Sequence, residues 1–212
     1  MIVPHALPPR HLKVSDLACR RGERVLFAGL HFAVGPGEIL LLRGPNGVGK
    51  STLLLALAGI FRPEIGTVAI DGRSDAESPG TDLHLLGHRS AVKGRLDVRE
   101  NLKFWSLLNG GDPALIEPTL AAVGLVDLGH LDAAYLSAGQ TRRLAIARLL
   151  VADRPIWLLD EPTAALDSDG ELLVGTLIDA HLLRGGLVVA ATHHDLPLHS
   201  QAVRRTLVLG SA

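Results

Sequence analysis

A short glycine-rich segment between an apolar strand and a helix constrains this chain more than any other feature. Residues 44–52 read Gly-Pro-Asn-Gly-Val-Gly-Lys-Ser-Thr and match the pattern G-x-x-x-x-G-K-[ST]. Residues 38–42 before them are typical of a buried strand, and residues 51–59 predict a helix that is apolar on almost every side. Glycines allow backbone N–H groups to turn inward around phosphate oxygens, and the helix directs its positive end at the same charge. The segment therefore predicts a phosphate-binding loop, or P-loop.

Each residue of this loop has an expected part in holding a nucleoside triphosphate. Lys50 places a positive charge near the β- and γ-phosphates, and the Ser51 hydroxyl can reach a bound Mg²⁺ ion. The predicted nucleotide-binding residues are Gly44, Pro45, Asn46, Gly47, Val48, Gly49, Lys50, Ser51 and Thr52.

Two carboxylates follow a second apolar strand. Residues 156–159 read Ile-Trp-Leu-Leu, and Asp160 and Glu161 come directly after them. The carboxyl end of a strand is where an open α/β sheet binds ligands. We expect Asp160 to hold Mg²⁺ through its water shell and Glu161 to act as the general base that polarises the attacking water. Alone, this pattern would also fit a strand that ends in a solvated turn, and the P-loop upstream is what favours the catalytic interpretation.

The order of predicted elements indicates an α/β fold. Apolar–polar alternation over 12–17 and 25–34 predicts strands of an antiparallel sheet, whereas the apolar runs 156–159 and 187–191 are typical of strands buried on both faces. The stretch from about 88 to 136 is mostly helical and interrupts this alternation. We therefore predict a P-loop NTPase core with a parallel sheet, an antiparallel β subdomain and an inserted α-helical subdomain.

Length and composition limit the other possibilities. A chain of 212 residues suits one domain, predicted over 12–212, after a proline-containing disordered lead-in over 1–11; Ser74 to Thr81 reads as a polar loop. The net charge of -1 gives no general attraction to nucleic acid, so no nucleic-acid partner is expected. No signal peptide is expected, and the longest apolar runs are too short to span a bilayer. Cys19 is the only cysteine and excludes an intrachain disulfide.

A third motif gives the family resemblance. Residues 136–140 read Leu-Ser-Ala-Gly-Gln ahead of a helix predicted over 137–151, and they resemble the signature motif of ABC transporter ATP-binding subunits. The resemblance implies a RecA-like core, bound ATP, and a second copy of the chain whose signature residues, here Ser137, Ala138, Gly139 and Gln140, grip the γ-phosphate. Ala138 stands where most members have glycine, and we expect altered packing there rather than lost function. A plain capping box of Ser137 with Gln140 is the structural alternative, and both interpretations can hold together.

Two further positions fit the same family. Asp167, in Ala-Leu-Asp, resembles the D-loop that crosses the dimer seam. His193 resembles the switch histidine that contacts the γ-phosphate, and we prefer it to His194 because it directly follows Thr192. The expected catalytic residues are therefore Lys50, Glu161 and His193.

Two positions depart from the family pattern. His88 occupies the Q-loop position, where most members have a glutamine that contacts Mg²⁺ and couples nucleotide state to the membrane subunit. A metal pair of His84 and His88 is not expected, because the segment runs from strand to loop. Arg21 stands where an aromatic side chain usually stacks on adenine. A guanidinium can stack on a base, and an apolar side chain such as Phe27 is the other possibility.

A finer resemblance comes from the segment around His88. Residues 86–105, the Leu-Ser-Ala-Gly-Gln variant, and Cys19 with residues 24–27 are similar to ATP-binding subunits of the cytochrome c maturation system. This implies ATP hydrolysis in an ATP-sandwich dimer that drives haem handling or export. It also implies a CcmB-like transmembrane permease subunit, a CcmC-like subunit nearby, and a peripheral position at the cytoplasmic face of the bacterial inner membrane.

Two alternatives stay open at the level of sequence. The first is an ABC export motor for another substrate, such as a lipid or a drug. The second is an ABC protein that acts on ribosomes or DNA, which the single cassette and near-neutral charge disfavour.

Overall fold

An antiparallel sheet forms one layer of the protein. We describe it from a computed structural model that covers residues 5–74 and 82–210. Its strands are β1 (Leu12–Arg21), β2 (Arg24–Val34), β4 (Ile65–Ile70) and β5 (Arg73–Ser74), in the order β2-β1-β4-β5. All of its pairings are antiparallel. The two predicted strands are confirmed.

A parallel sheet forms the second layer and positions the functional loops. Its strands are β3 (Glu38–Arg43), β6 (Leu83–Leu86), β7 (Ile156–Asp160), β8 (Leu187–Ala191) and β9 (Val203–Val208), in the order β6-β7-β8-β3-β9. Every residue of β7 and β8 is buried, as their apolar runs predicted. Register aligns Leu42 of β3, Asp160 of β7 and Ala191 of β8 at the same level. The loops that follow these strands therefore leave the sheet side by side.

Five α-helices complete the described part of the chain. They are α1 (Lys50–Leu57), α2 (Val98–Leu108), α3 (Ile116–Ala122), α4 (Ala138–Ala147) and α5 (Ser168–Leu183), with short 3₁₀ turns at Pro113–Leu115, Val126–Leu128 and Ala133–Tyr135. The helix predicted over 137–151 is shorter than expected. After Ala147 the chain tightens, because Leu149 and Leu150 donate to the carbonyls three residues back. Within the described ranges, no helix combines the length and apolarity needed to cross a bilayer.

Helix α4 joins two apolar clusters. On one side, Ala145, Ile146 and Leu149 pack with β7, β8 and α5 beneath the parallel sheet. On the other side, Leu144, Ala147 and Val151 pack with residues of α2 and α3. A third cluster lies between the antiparallel sheet, α1 and the opposite face of the parallel sheet. Since α4 begins at the signature residues, the helical region is tied directly to the strands that carry the carboxylates.

The beginning of the chain differs from the prediction of a disordered lead-in. Leu7 is buried, and its N–H donates to the Arg184 carbonyl at 2.8 Å. Arg10 forms ion pairs with Asp71 at 3.1 Å and with Asp82 at 3.2 Å. These partners lie far along the chain, so local composition could not indicate them. Residues 1–4, and residues 75–81 of the predicted polar loop, lie outside the described ranges.

Candidate nucleotide-binding site

The glycine-rich loop leaves β3 and turns directly into α1. Gly44 has φ 139° and Gly49 has φ 113°, values that side chains with a Cβ rarely adopt. Space also excludes a side chain at Gly44 and leaves little room for one at Gly49. A Cβ on Gly44 would lie 2.5 Å from the Leu209 carbonyl oxygen, and one on Gly49 would lie 3.1 Å from Leu26 Cβ. This part of the chain therefore forms a tight loop that packs closely against neighbouring residues.

The start of α1 leaves its backbone donors open. Gly49 is the N-cap residue and supplies no side-chain acceptor to the first turn. The first N–H groups of a helix have no partner within the helix, and the helix dipole adds positive potential at this end. Ser51 and Thr52 lie on this turn and line the adjacent cleft. The loop and helix together form an anion-binding site suited to phosphate.

Lys50 reaches back across the loop. Its side chain is buried, and Nζ donates to the carbonyl oxygens of Gly44 at 2.8 Å and Pro45 at 3.1 Å. Nζ also lies 3.0 Å from His193 Nε2. The ammonium group is thus held at the mouth of the loop, where phosphate oxygens can replace these acceptors.

Asp160 and Glu161 emerge where β7 ends. Asp160 is buried, whereas Glu161 is half-buried and lines the cleft. Glu161 has φ 46°, a left-handed conformation that costs a non-glycine residue about 1–3 kcal/mol. Its N–H still donates to the Ala191 carbonyl at 2.8 Å. Glu161 Oε1 is buried and has no hydrogen-bond partner among the described residues, and His193 Nε2 lies 3.6 Å from it. A carboxylate on the wall of a cleft, with one oxygen that accepts no hydrogen bond, is suited to accept a proton from water.

His193 follows β8 and meets both neighbouring loops. Its N–H donates to Glu161 Oε2 at 3.4 Å, and Nε2 lies 2.7 Å from Asn46 Oδ1. The His194 backbone carbonyl instead accepts from Arg43 and from the Thr192 hydroxyl, and His194 does not line the cleft. The geometry thus places His193, and not His194, beside the P-loop.

The two histidines of the β6 region have different environments. His88 is exposed and lines the cleft beside Glu161. His84 is buried and points away, with Nε2 2.8 Å from the Ala152 carbonyl oxygen. Burial lowers the pKa of His84 to about 4. The His84 ring is therefore held by a backbone carbonyl, whereas His88 lines the cleft.

The open end of the cleft is lined by residues of the β1–β2 hairpin. Arg21, Arg24 and Leu26 lie there. Phe27, the apolar side chain considered for adenine, is buried in the core against Gly49 and does not line the cleft. That possibility was wrong, because Phe27 packs into the hydrophobic core against Gly49 rather than into the cleft.

One cleft of about 620 Å³ gathers most of the predicted residues. It holds the P-loop, Asp160, Glu161, His88 and His193. Each group follows the carboxyl end of a parallel strand, which explains why residues far apart in sequence meet at one edge.

The signature residues lie on a separate surface. Ser137, Gly139, Gln140 and Asp167 line a second depression together with Arg143. The predicted capping box is present: the Gln140 N–H donates to Ser137 Oγ at 3.2 Å, and the Ser137 N–H donates to Gln140 Oε1 at 2.9 Å. Ala138 is exposed at the first turn. A Cβ on Gly139 would lie 3.2 Å from the Ala165 carbonyl oxygen, so this position is close to the loop that precedes α5.

Asp167 ties the signature helix to α5. Its side chain accepts from the Gly170 N–H at 2.9 Å as an N-cap and from Arg143 at 3.2 Å. The backbone hydrogen bond from Gly170 and the Arg143 guanidinium lower the pKa of this carboxyl group. The D-loop position and the signature helix are therefore held together on one surface.

Arg142 is the main functional candidate that sequence reasoning missed. It is only 5% exposed and donates to four backbone carbonyls: Gly87, Asp160, Glu161 and Pro162. A signal was present, since Arg142 precedes Ala145, Ile146 and Leu149 at the spacing of one buried helix face. A charged residue on such a face needs buried partners, and these carbonyls are the partners.

The residues fit a magnesium ion held jointly with phosphates. Mg²⁺ usually binds one or two protein oxygens and completes its shell with water and phosphate oxygens. Ser51, Asp160 and Glu161 line the same cleft. No group of three acidic, histidine or cysteine side chains suited to a metal occurs in the described ranges, and this two-ligand arrangement needs none.

The fold and the site define a class, the ATP-hydrolysing subunits of ABC transporters. The pattern of the ABC transporter family matches residues 27–164, and the chain belongs to this family. A protein from Pyrococcus furiosus described as an ABC transporter ATP-binding protein shares the fold, with 23% identity, a TM-score of 0.80, and coverage of 93% of this chain and 97% of that one. An ATP-binding cassette solved as a post-hydrolysis dimer with ADP and phosphate has a TM-score of 0.75 at 25% identity, covering 86% of this chain and 88% of its own.

Particular relatives within the family are much closer in sequence. The cytochrome c biogenesis ATP-binding export protein CcmA of Rhizobium meliloti is 53% identical, over 87% of this chain and 92% of its own length. The protein of the same name from Rhodopseudomonas palustris strain BisB5 is 50% identical, over 89% of this chain and 94% of its length.

Proposed function

We propose that this chain is the ATP-hydrolysing subunit of a membrane complex for haem handling in cytochrome c biogenesis. In this proposal two copies face each other head to tail, and each ATP is bound between the P-loop of one copy and the signature helix of the other. The names of the relatives at about 50% identity support the cytochrome c assignment.

The proposal of a dimer rests on one observation: the P-loop cleft and the signature surface, which we call the two half-sites, lie apart within one chain. The cleft contains Lys50, Glu161 and His193, whereas Ser137 and Asp167 lie on another surface. The N-terminus of α4 also presents backbone donors, one of which the Ser137 side chain caps, and its depression shares no lining residue with the cleft of the same chain. A second copy in the opposite orientation supplies the missing contacts, as a two-fold dimer allows.

Within the cleft, the proposed mechanism relies on positioning and charge. The P-loop amides and Lys50 hold the phosphates, and Glu161 accepts a proton from the attacking water. His193 donates its backbone N–H to Glu161, and its Nε2 lies beside both Asn46 Oδ1 and Lys50 Nζ. Depending on the tautomer, Nε2 donates to Asn46 or accepts from Lys50, and either bond links the loop after β8 to the loop after β3, around the γ-phosphate. When bound through Ser51 and Asp160, Mg²⁺ would neutralise developing charge on the phosphates.

ATP then holds the two copies together, and hydrolysis releases them. This converts phosphate chemistry into rigid-body closing and opening. We propose that a CcmB-like permease subunit, with a CcmC-like subunit nearby, receives this motion at the cytoplasmic face of the bacterial inner membrane. His88, exposed at the edge of the cleft, is the residue on this chain that we assign to that coupling.

Replacing Glu161 with Gln tests the part of the proposal in which each ATP is bound between two copies of the chain. The variant should bind Mg-ATP, lose most of its turnover and elute as a dimer in size-exclusion chromatography with ATP. In the same experiment with ADP it should elute as a monomer. A nucleotide-bound crystal of the Glu161→Gln variant in which the phosphates touch no residue of the second copy would contradict the proposal, as would turnover at the wild-type rate.

The haem assignment is tested separately in cells. Deletion of the gene should abolish covalent haem attachment to c-type cytochromes, measured by haem staining of membrane proteins, and the wild-type gene should restore it where the Glu161→Gln gene does not. Co-purification with a CcmB-like membrane protein is expected. Normal cytochrome c together with loss of a lipid or drug export phenotype would instead support the other kind of export motor.

A further inference from the structure

Arg142 is a buried cation whose guanidinium is surrounded by carbonyl oxygens. Its Nη2 donates to the Asp160 carbonyl at 2.7 Å and to the Glu161 carbonyl at 2.6 Å, and Nε donates to the Pro162 carbonyl at 3.2 Å. No carboxylate lies within ion-pair distance of it in the described part of the chain. Three successive peptide groups at the end of β7 are therefore held by one side chain.

These peptide groups include a strained residue. Glu161 has a positive φ of 46°, and such a conformation persists only where surrounding contacts fix it. The hydrogen bond from Arg142 to the Glu161 carbonyl and the one from the Glu161 N–H to Ala191 fix the peptide on both sides. Glu161 lines the cleft, where its Oε1 lies 3.6 Å from His193 Nε2 and accepts no hydrogen bond from the described residues.

Arg142 also reaches the loop that contains His88. Its Nη1 donates to the Gly87 carbonyl at 3.1 Å, and Gly87 directly precedes His88. The same guanidinium therefore spans the Q-loop position and the carboxylate turn, from a helix whose first residues belong to the signature motif. If one of these three segments moves, either its hydrogen bonds through Arg142 break or the other two segments move with it.

We propose that Arg142 is a positioning residue for hydrolysis, which holds Glu161 in its strained conformation and keeps the signature helix, the carboxylate turn and the His88 loop in register. The inference rests on the proposed role of Glu161 as general base. Arg142 acts through Glu161, so its loss lowers the rate of hydrolysis far more than it weakens nucleotide binding.

The Arg142→Gln variant tests whether Arg142 affects the rate of hydrolysis more than nucleotide binding. Misplacement of a catalytic group by about 1 Å can cost up to a hundredfold in rate, so we expect kcat to fall by about tenfold or more. The Kd for Mg-ATP should change by less than about threefold, because Arg142 contacts neither the P-loop nor α1. Arg142→Lys should recover part of kcat, since an ammonium group can serve some of the carbonyls but lacks the planar guanidinium geometry.

Arg148→Gln is the matched control. Arg148 lies on the same stretch of chain, is 8% exposed, and donates to the Leu85 and Ser90 carbonyls without touching residues 160–162. Its loss should lower the melting temperature comparably while reducing kcat much less than Arg142→Gln does. Equal kcat losses in the two variants, tracking their melting temperatures, would show a merely structural role and overturn the proposal.

A double-mutant cycle separates this inference from the proposed function. In a Glu161→Gln background, Arg142→Gln should change the residual turnover by less than about twofold, because the two residues act as one unit. An equal fold-loss in both backgrounds would refute the positioning role. If Glu161→Gln itself retains wild-type turnover, the general-base role fails instead. Should Arg142→Gln not fold, the same cycle is run with Arg142→Lys, whose kcat at the wild-type level would also refute the role.

Discussion

At the scale of single residues, His84 and His181 show how burial sets protonation. His84 Nε2 lies 2.8 Å from the Ala152 carbonyl oxygen, and His181 Nε2 lies 3.2 Å from that of Pro155. His181 also stacks on Trp157 with ring centres 4.0 Å apart. Burial lowers the pKa of His84 to about 4 and that of His181 to about 3. Both rings are therefore neutral in the folded protein at pH 7, and both brace the segment between α4 and β7.

This neutrality predicts a loss of stability in mild acid. The unfolded chain takes up a proton on each ring near pH 6.5, whereas the folded chain does so only near pH 4 or below, so stability is complete above pH 6.5 and falls as the pH drops. For His84 the free energy of unfolding should fall by on the order of 3 kcal/mol between pH 7 and pH 4. Urea denaturation of His84→Gln, which keeps a donor toward the Ala152 carbonyl, should show a shallower pH dependence.

Exposed His130 provides the control for that measurement. His130→Gln should leave the pH profile of stability unchanged. An identical slope in the wild type and in His84→Gln would contradict the assignment of the acid sensitivity to burial of His84.

At the scale of elements, close contact with a neighbouring segment limits the size of the side chain that α5 can accommodate at one position. Gly175 is a buried residue inside this helix, and a Cβ there would lie 2.2 Å from the Pro197 carbonyl oxygen. Pro197 belongs to the loop after His193, and that loop also packs against Asp179 of α5, whose side chain accepts from the His199 N–H at 2.6 Å. The glycine thus allows the helix to approach the loop that follows the switch position.

Gly175→Ala should destabilise the protein although alanine is the better helix former. Alanine normally gains up to about 1 kcal/mol over glycine in a helix, but the clash forces the loop at 196–200 away from α5. We expect a lower melting temperature, measured by circular dichroism. Thr176→Ala, at the exposed neighbouring position, should change it little. A higher melting temperature for Gly175→Ala would show that the loop yields without cost.

At the same scale, an element was predictable from the sequence where its own residues carry a clear apolar pattern. The strands β3, β7 and β8 were predicted closely, because burial on both faces leaves uninterrupted apolar runs. Strand β9 was missed, since its Arg204 and Arg205 face solvent at the edge of the sheet and interrupt any apolar pattern. Asn101 is buried and donates to the carbonyls of Lys93, Leu96 and Asp97. Its role in fixing the loop before α2 depends on contacts that no periodicity reveals.

At the scale of the whole molecule, the proposed function requires two copies of the chain, because the two half-sites lie on separate surfaces. The P-loop cleft and the signature surface each contain residues with strong motifs, but one chain does not bring them together. In the proposed two-fold dimer, each nucleotide site combines Lys50 of one copy with Ser137 of the other, so both sites contain one part from each protomer.

Mixing two inactive variants tests this arrangement. Lys50→Ala removes the phosphate contact in the cleft and should not bind ATP, and Ser137→Phe should block the signature surface with a bulky side chain. In a mixed dimer, one site combines both defects and the other is intact. ATPase activity of the mixture should therefore rise to about a quarter of the wild-type value, from half of the sites in half of the dimers. Activity no greater than the sum of the separate variants would contradict sites shared between copies.

The sequence by itself determined the glycine-rich loop before α1, the two carboxylates after β7, the capping box at Ser137 and the α/β order of elements. These features depend on local requirements: glycine conformations, helix capping, and burial patterns within one strand or helix. The tertiary structure alone decided that Leu7 and Arg10 pack onto the domain, that Phe27 faces the core, that His193 meets Asn46 and Lys50, and that Arg142 holds the turn of Glu161. Each of these depends on groups brought together from distant parts of the chain, and the chemical type of a residue does not indicate which distant carbonyl or ring will lie beside it.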